Sequence, residues 1–234
     1  MADDKISENI EEYLEVLYRN GSNKEQVSTT TFSNDLGIAP GSVTQMLKKL
    51  EDLGYINYTP YRGASLTDEG MKIAQKITRK HRILEKFLLD ILKVKQENVH
   101  DQACEMEHSL SDEAERALCT MLHHPDLCPD ENVIPACDLD FGSCKECFSV
   151  KDFDNIINRK FNLLSISELA PNSQGTISFI RGNNDLLDDI ANRGIKIGDN
   201  LNYYAMDDDE FLISVNDEDL SIPSLLANNI FIKV

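Results

Sequence analysis

The side chains best suited to chemistry lie in two short stretches, HRILE with His81 and Glu85, and HDQACEMEH with His100, Cys104, Glu107 and His108. On a helix of 3.6 residues per turn, positions i, i+4, i+7 and i+8 fall within an arc of ~100°. His100, Cys104, Glu107 and His108 therefore converge on one face. Imidazole, thiolate and carboxylate aimed one way suit a borderline divalent transition metal: iron(II), manganese(II), cobalt(II), nickel(II) or zinc(II). For any single residue a solvated helix face is the plainer explanation. It weakens jointly, because three of the five histidines sit at helical spacing beside carboxylates and Cys104 shares their face. A buried cysteine is often only a small hydrophobe, and that alternative stands beside the ligand reading. Glu12, on a separate N-terminal helix, could add a donor from outside this pair. No nucleophile or general-base motif accompanies the set, so a metallohydrolase is not expected.

A second group of soft donors is Cys128, Cys137, Cys144 and Cys147, the last two as C-x-x-C. Four thiols within twenty residues could enclose a tetrahedral zinc or iron. Their spacing is irregular, so free linker thiols remain an equal alternative. Cys119, on an apolar helical stripe, reads as core.

The elements that must position these residues begin with a helix over 7–19, where Ile10, Tyr13, Leu14 and Leu17 recur at helical spacing after Ser7, a natural N-cap. A short helix near Thr30 to Leu36 stops at Gly37. Pro40 then opens a second one at its first turn, where a missing amide hydrogen costs nothing. Val43, Met46, Leu47 and Leu50 form its apolar stripe, leaving Ser42, Thr44, Gln45, Lys48 and Lys49 for solvent. Hydroxyl, amide and ammonium groups of this kind suit base edges and phosphates. Tyr55 to Tyr58 and Ala64 to Thr67 pair as strands about the tip Pro60, Tyr61, Arg62, Gly63. The sum is a winged helix-turn-helix whose Arg62 can touch the phosphate backbone. The same fold can also serve protein contacts alone, which makes a metal-binding scaffold the rival from another class. A long basic helix spans 68–93, and two more helical segments lie in 97–123, divided near Ser109 to Ser111. Residues 123–151 are rich in Pro, Asp and Cys. Beyond 163, the stretches TISFI, NLNYYAM, EFLISV and NIFIKV, with one helical segment at Leu186 to Asn192, suggest a small β-barrel.

The formal net charge of −18 over 234 residues argues against nucleic acid only if the charges are evenly spread. They are not. Acidic residues crowd the C-terminal part, whereas Lys48, Lys49, Arg62, Lys72, Lys76, Arg79, Lys80, Arg82 and Lys86 concentrate earlier, so a locally basic face is compatible with an acidic whole. The polar, acidic N-terminus is unlike a secretory signal, and nothing approaches the ~20 apolar residues of a membrane span. Cysteines in such a chain are expected to be reduced thiols or metal ligands, and the expected location is cytoplasmic, with no membrane partner.

The segment RKHRILEKFLLDILKVKQENVHDQACEMEHSLSDEAE resembles the diphtheria toxin repressor family of iron- and manganese-dependent transcriptional regulators. The likeness extends through EEYLEVLY, the segment APGSVTQMLKKLEDLGYI, and a C-terminal region similar to the SH3-like ferrous-transport accessory domains. It implies a mainly α N-terminal part, made of a winged helix-turn-helix and a helical dimerisation domain, followed by an SH3-like β-barrel. The corresponding spans are 1–73 for DNA binding, 74–126 for metal binding and dimerisation, 127–160 for the cysteine-bearing linker, and 161–234 for the SH3-like domain. The resemblance also implies a homodimer bound to a double-stranded DNA operator, and two metal sites. One is formed by His81, Glu85 and His100; the other by Glu12, Cys104, Glu107 and His108. Glu12 departs from the family, whose iron-type members carry methionine there and manganese-type members aspartate. Cys104 and His100 are iron-type choices, while Glu15 occupies a ligand position of the manganese branch. Asn183 and Leu186, with Asp185 close by, fall near where iron-type members offer Glu and Gln. The balance leans to iron(II), with manganese(II) the alternative and zinc open at the cysteine cluster.

Overall fold

The computed structural model describes residues 6–21, 26–149 and 158–233, and the chain divides into two compact units, Met1–Thr78 and Arg79–Val234. In the first unit α1 (Glu8–Asn20), α2 (Thr29–Leu36) and α3 (Pro40–Asp52) precede a hairpin of β1 (Ile56–Thr59) and β2 (Gly63–Leu66). Ser7 precedes α1 without its hydroxyl capping the helix, whereas Ser28 accepts from the Thr31 amide and caps α2. Gly37 ends α2 at φ 66°, the left-handed conformation for which glycine lacks a steric penalty. Tyr13 stacks on Phe32 at 5.4 Å, and Leu14, Leu17, Val43, Leu47, Leu50 and Ile56 close a single core beneath.

The hairpin pairs antiparallel with Thr59 opposite Gly63, and β2 is tied back through paired bonds between Val27 and Ala64. Gly63, at φ 124°, passes so close to that segment that a Cβ would stand 2.1 Å from the Val27 carbonyl oxygen. Gly63→Ala should therefore cost at least the roughly 1–3 kcal/mol of a strained backbone residue, and lower the thermal midpoint of the DNA-binding unit in a calorimetric scan. An unchanged midpoint would mean that the wing is free to shift.

The helix α4 (Asp68–Asp90) begins in the first unit and continues into the second. There α5 (Gln96–Glu107) packs Val99 and Ala103 on Leu84 and Leu88 of α4, and α6 (Asp112–Met121) contributes Cys119 to a cluster with Ile83, Cys128 and Ile134. A loop and the short α7 (Cys144–Ser149) lead toward β3 (Leu163–Ser165), β4 (Gln174–Ile180), α8 (Asn184–Asn192), β5 (Asn200–Asp207), β6 (Glu210–Val215), β7 (Glu218–Pro223), α9 (Ser224–Ala227) and β8 (Ile230–Lys233). The strands form one antiparallel sheet in the order β3-β8-β4-β5-β6-β7, with register shifts in β4 and β5 that bend it. The four strands expected from alternation are β4, β5, β6 and β8. Leu164, Ile177, Leu201, Ile213, Ile222 and Ile232 face the sheet's own core with Ile190 of α8. On the opposite face Leu163, Phe179 and Phe231 are covered by Cys144 and its neighbours. Within the described residues no helix is long and apolar enough to cross a membrane.

Candidate metal centre and nucleic-acid interface

α4 offers His81 and Glu85 one turn apart, and α5 meets them with His100, Cys104 and Glu107. His81 is held from both sides: its Nδ1 lies 2.5 Å from Glu107 Oε2 and its Nε2 3.0 Å from Glu85 Oε1. His100 Nδ1 stands 3.1 Å from His81 Nε2 and 3.3 Å from the same Glu85 oxygen. Two imidazole nitrogens and one carboxylate oxygen thus mark a triangle with edges of 3.0–3.3 Å. The centre of such a triangle is about 1.8 Å from each corner, so an ion just above it reaches all three at the bond lengths of about 2.0–2.2 Å that first-row metals make to nitrogen and oxygen. The donors fit a metal ion.

Cys104 approaches the same two imidazoles from the next turn of α5 on their other ring nitrogens, its Sγ 3.8 Å from His100 Nε2 and 3.9 Å from His81 Nδ1. Donor atoms of His81, His100 and Cys104 all lie within 4.8 Å of one another. His81, Glu85 and Glu107 are only 4, 4 and 2 % exposed, whereas His100 opens to solvent. Burying two carboxylates beside one imidazole calls for cationic charge between them. His108, at the C-terminal cap of α5, stands 3.4 Å from Glu107. Six of the seven donors named from the sequence therefore meet on these two helices; Glu12 is an exposed residue of α1 in the other unit.

Burial by itself would raise the Glu85 carboxyl, but the hydrogen bond and charge of His81, with help from Cys128 and His100, hold it below its ordinary value. The resulting stabilisation is complete above the ordinary carboxylate range and is lost as pH falls through the lowered value. Cys128, grouped in the sequence with Cys137, Cys144 and Cys147, does not line the cavity that those three share. It lies against Glu85, where burial and then that carboxylate's charge push its thiol up. Cys137, Cys144 and Cys147 do share a cavity, but its fourth cysteine is Cys119. Cys119 is buried as expected of core, yet its sulfur faces Arg79 and His124.

On the other unit Ser42, Gln45, Lys48 and Lys49 are exposed along α3, and Arg62 is exposed at the wing tip beside a fully exposed Tyr61. Thr44 differs from expectation: it is half-buried and its hydroxyl donates to the Pro40 carbonyl. The basic surface is also smaller than the sequence suggests. Arg79 is buried against Glu115, Arg82 donates to the Val133 carbonyl, Lys80 is held by Leu110 and Asp112, and Lys72 and Lys86 pair with Glu69 and Asp90. Lys48, Lys49 and Arg62 stay exposed.

Residues 5–64 match the family described as iron dependent repressor, N-terminal DNA binding domain, and residues 67–136 match iron dependent repressor, metal binding and dimerisation domain. The chain is 42% identical over 109 residues to an uncharacterized HTH-type transcriptional regulator of Methanocaldococcus jannaschii, covering 46% of this chain and 87% of that one. It is 36% identical to the HTH-type transcriptional regulator MntR of Oceanobacillus iheyensis, over 44% of this chain and 69% of that one. The diphtheria toxin repressor of Corynebacterium glutamicum is 38% identical over 40% of this chain and 41% of its own length. A solved manganese-dependent transcriptional repressor in complex with manganese aligns over 96% of this chain and 99% of its own, with a TM-score of 0.51 and 21% identity. That alignment speaks for the fold.

Proposed function

Since the chain belongs to the iron-dependent repressor family, and is a metal-dependent DNA-binding transcriptional repressor and not an enzyme, we propose that iron(II) bound by His81, Glu85, His100 and Cys104 switches it on. The observation that carries this reading is the Cys104 sulfur beside two imidazole nitrogens. A thiolate with imidazoles favours iron(II) over manganese(II), which prefers an all-oxygen or oxygen-rich shell. Glu107 and His108 are the donors of a second ion. Manganese(II) is the second reading, and the buried carboxylates of Glu85 and Glu107 favour it.

Binding of metal lowers the free energy of the conformers in which the ligands are gathered, and a homodimer in that state offers two equivalent α3 helices to successive major grooves of a two-fold operator. Ser42 and Gln45 would read base edges while Lys48, Lys49 and Arg62 hold phosphates. The genes controlled would be those of metal homeostasis. The deciding experiment is a gel-shift titration of the chain's own promoter region with iron(II), kept anaerobic, and with manganese(II), each against chelator. Iron(II) should raise affinity at a lower free concentration than manganese(II). Affinity should also fall steeply with salt, because each phosphate contact releases counterions. Equal affinity with chelator and with either metal would overturn the switch, and a flat salt response would leave the winged domain to protein contacts.

A further inference from the structure

Cys119 of α6, Cys137 of the following loop, and Cys144 and Cys147 of α7 open into one cavity, walled by the guanidinium groups of Arg79 and Arg181. We propose that this cavity is a structural tetrathiolate site for a thiophilic divalent cation, zinc(II) or iron(II), separate from the activating ligands.

The four thiols come from three segments that the fold gathers. The C-x-x-C pair sits on one turn of α7, where positions i and i+3 share a face. Charge supplies the second argument. Arg181 is 2 % exposed, and its hydrogen bonds run to Asn229 Oδ1 at 2.9 Å and to the carbonyls of Ile134, Asp126 and Asn228. Every one of those acceptors is neutral. A guanidinium in such a place lacks a contacting anion among the described residues, and its burial pushes it down to about 10. A divalent ion with four thiolates carries a net charge of −2 and would stand beside it. Arg79 already donates to Cys119 Sγ at 3.0 Å while pairing with Glu115 at 2.8 Å. N–H donation to a ligating sulfur is how an outer shell fixes and tunes such a site.

Burial, and then the proximity of Cys137, Cys144 and Cys119, push the Cys147 thiol up to about 12, and burial also raises Cys137. An ion entering must therefore displace protons, so occupancy rises with pH. Among the described residues these sulfurs are not one of the donor groups already within 4.8 Å. Ligation asks the sulfurs to draw together, chiefly through changes of χ1 rotamer.

The test uses the full chain purified anaerobically. Elemental analysis after dialysis against a mild chelator should find about one zinc or iron per chain, retained in Cys104→Ala and Cys128→Ser and lost in Cys119→Ser and Cys144→Ser. Cobalt(II) added to metal-free Cys104→Ala should give thiolate-to-cobalt charge transfer and the intense visible bands of tetrahedral coordination. Adding Cys128→Ser to that variant removes the remaining thiol beside Glu85, so a signal kept in the double variant reports the cavity even if the iron switch fails. Metal retained in Cys144→Ser, or no charge transfer in Cys104→Ala, would overturn the site; should Cys144→Ser not fold, the cobalt spectrum decides. Loss in Cys128→Ser with retention in Cys119→Ser would overturn the ligand set.

Discussion

Replacing His81 by alanine should leave a chain whose operator affinity is the same in saturating iron(II) as in chelator. Its two ring nitrogens face Glu107 at 2.5 Å and Glu85 at 3.0 Å. Losing it removes one corner of the ligand triangle and leaves two buried carboxylates without the group between them. Removing even an outer-shell partner of a metal ligand typically costs about 10–100-fold in metal affinity, so the loss here should exceed about 100-fold. Cys104 gives the contrasting case. Cys104→Ala should also abolish activation while the chain stays folded, since the residue is half exposed and packs little. Cys104→Asp should keep activation but move it from iron(II) toward manganese(II), because a carboxylate suits the harder ion. The measurement is the free metal concentration at half-maximal operator binding, for each variant and each metal. A parental response to both metals in His81→Ala would remove the helical cluster from the switch.

The second large effect is on stability. Arg79 and Glu115 form an ion pair at 2.8 Å with both side chains almost fully buried, and Arg79 also donates to the Pro135 carbonyl at 2.6 Å. Arg79→Met would leave the Glu115 carboxylate buried beside a hydrophobe, which typically costs about 3–5 kcal/mol. For a chain of this size, that is a fall in thermal midpoint on the order of 6–20 °C. The double variant Arg79→Met with Glu115→Leu should recover most of the loss, because neither charge is then stranded. Thermal unfolding of the three chains, followed by circular dichroism, reads the result. An Arg79→Met chain as stable as its parent would show that water reaches Glu115.

How much of this was visible beforehand depends on whether the signal is local. The helices could be read because apolar residues recur every three to four positions and Gly37, Pro40 and Gly54 punctuate them. The donors of α5 could be read for the same reason: four residues at helical spacing share a face before any tertiary contact is known. The strands β3 and β7 were not legible. LLS is too short for alternation to register, and EDLSIP carries two acidic residues and a proline, yet both pair in register at the two ends of the sheet. Nor could spacing tell Cys119 from Cys128. They lie nine positions apart, and only the packing of the loop against α4 sends one sulfur to Arg79 and the other to Glu85. The same limit applies to charge, since Arg79 and Lys48 look alike in the sequence while one is buried and the other faces solvent.

The sheet with both faces covered bears on how this chain can be shortened. Two of the relatives match it over most of their own length with less than half of its residues, which suggests cutting after the helical region to obtain a minimal regulator. Here a cut after α7 would strip Phe231 and Phe179 from Cys144, Cys137 and Ala136, and take away the Arg181 side chain that reaches back to the carbonyls of Asp126 and Ile134. The part left behind would expose an apolar floor and unpaired carbonyl oxygens, and would tend to aggregate. In this chain the last strands are part of the foundation of the middle segment, so the length that defines an independent module runs to the end of β8.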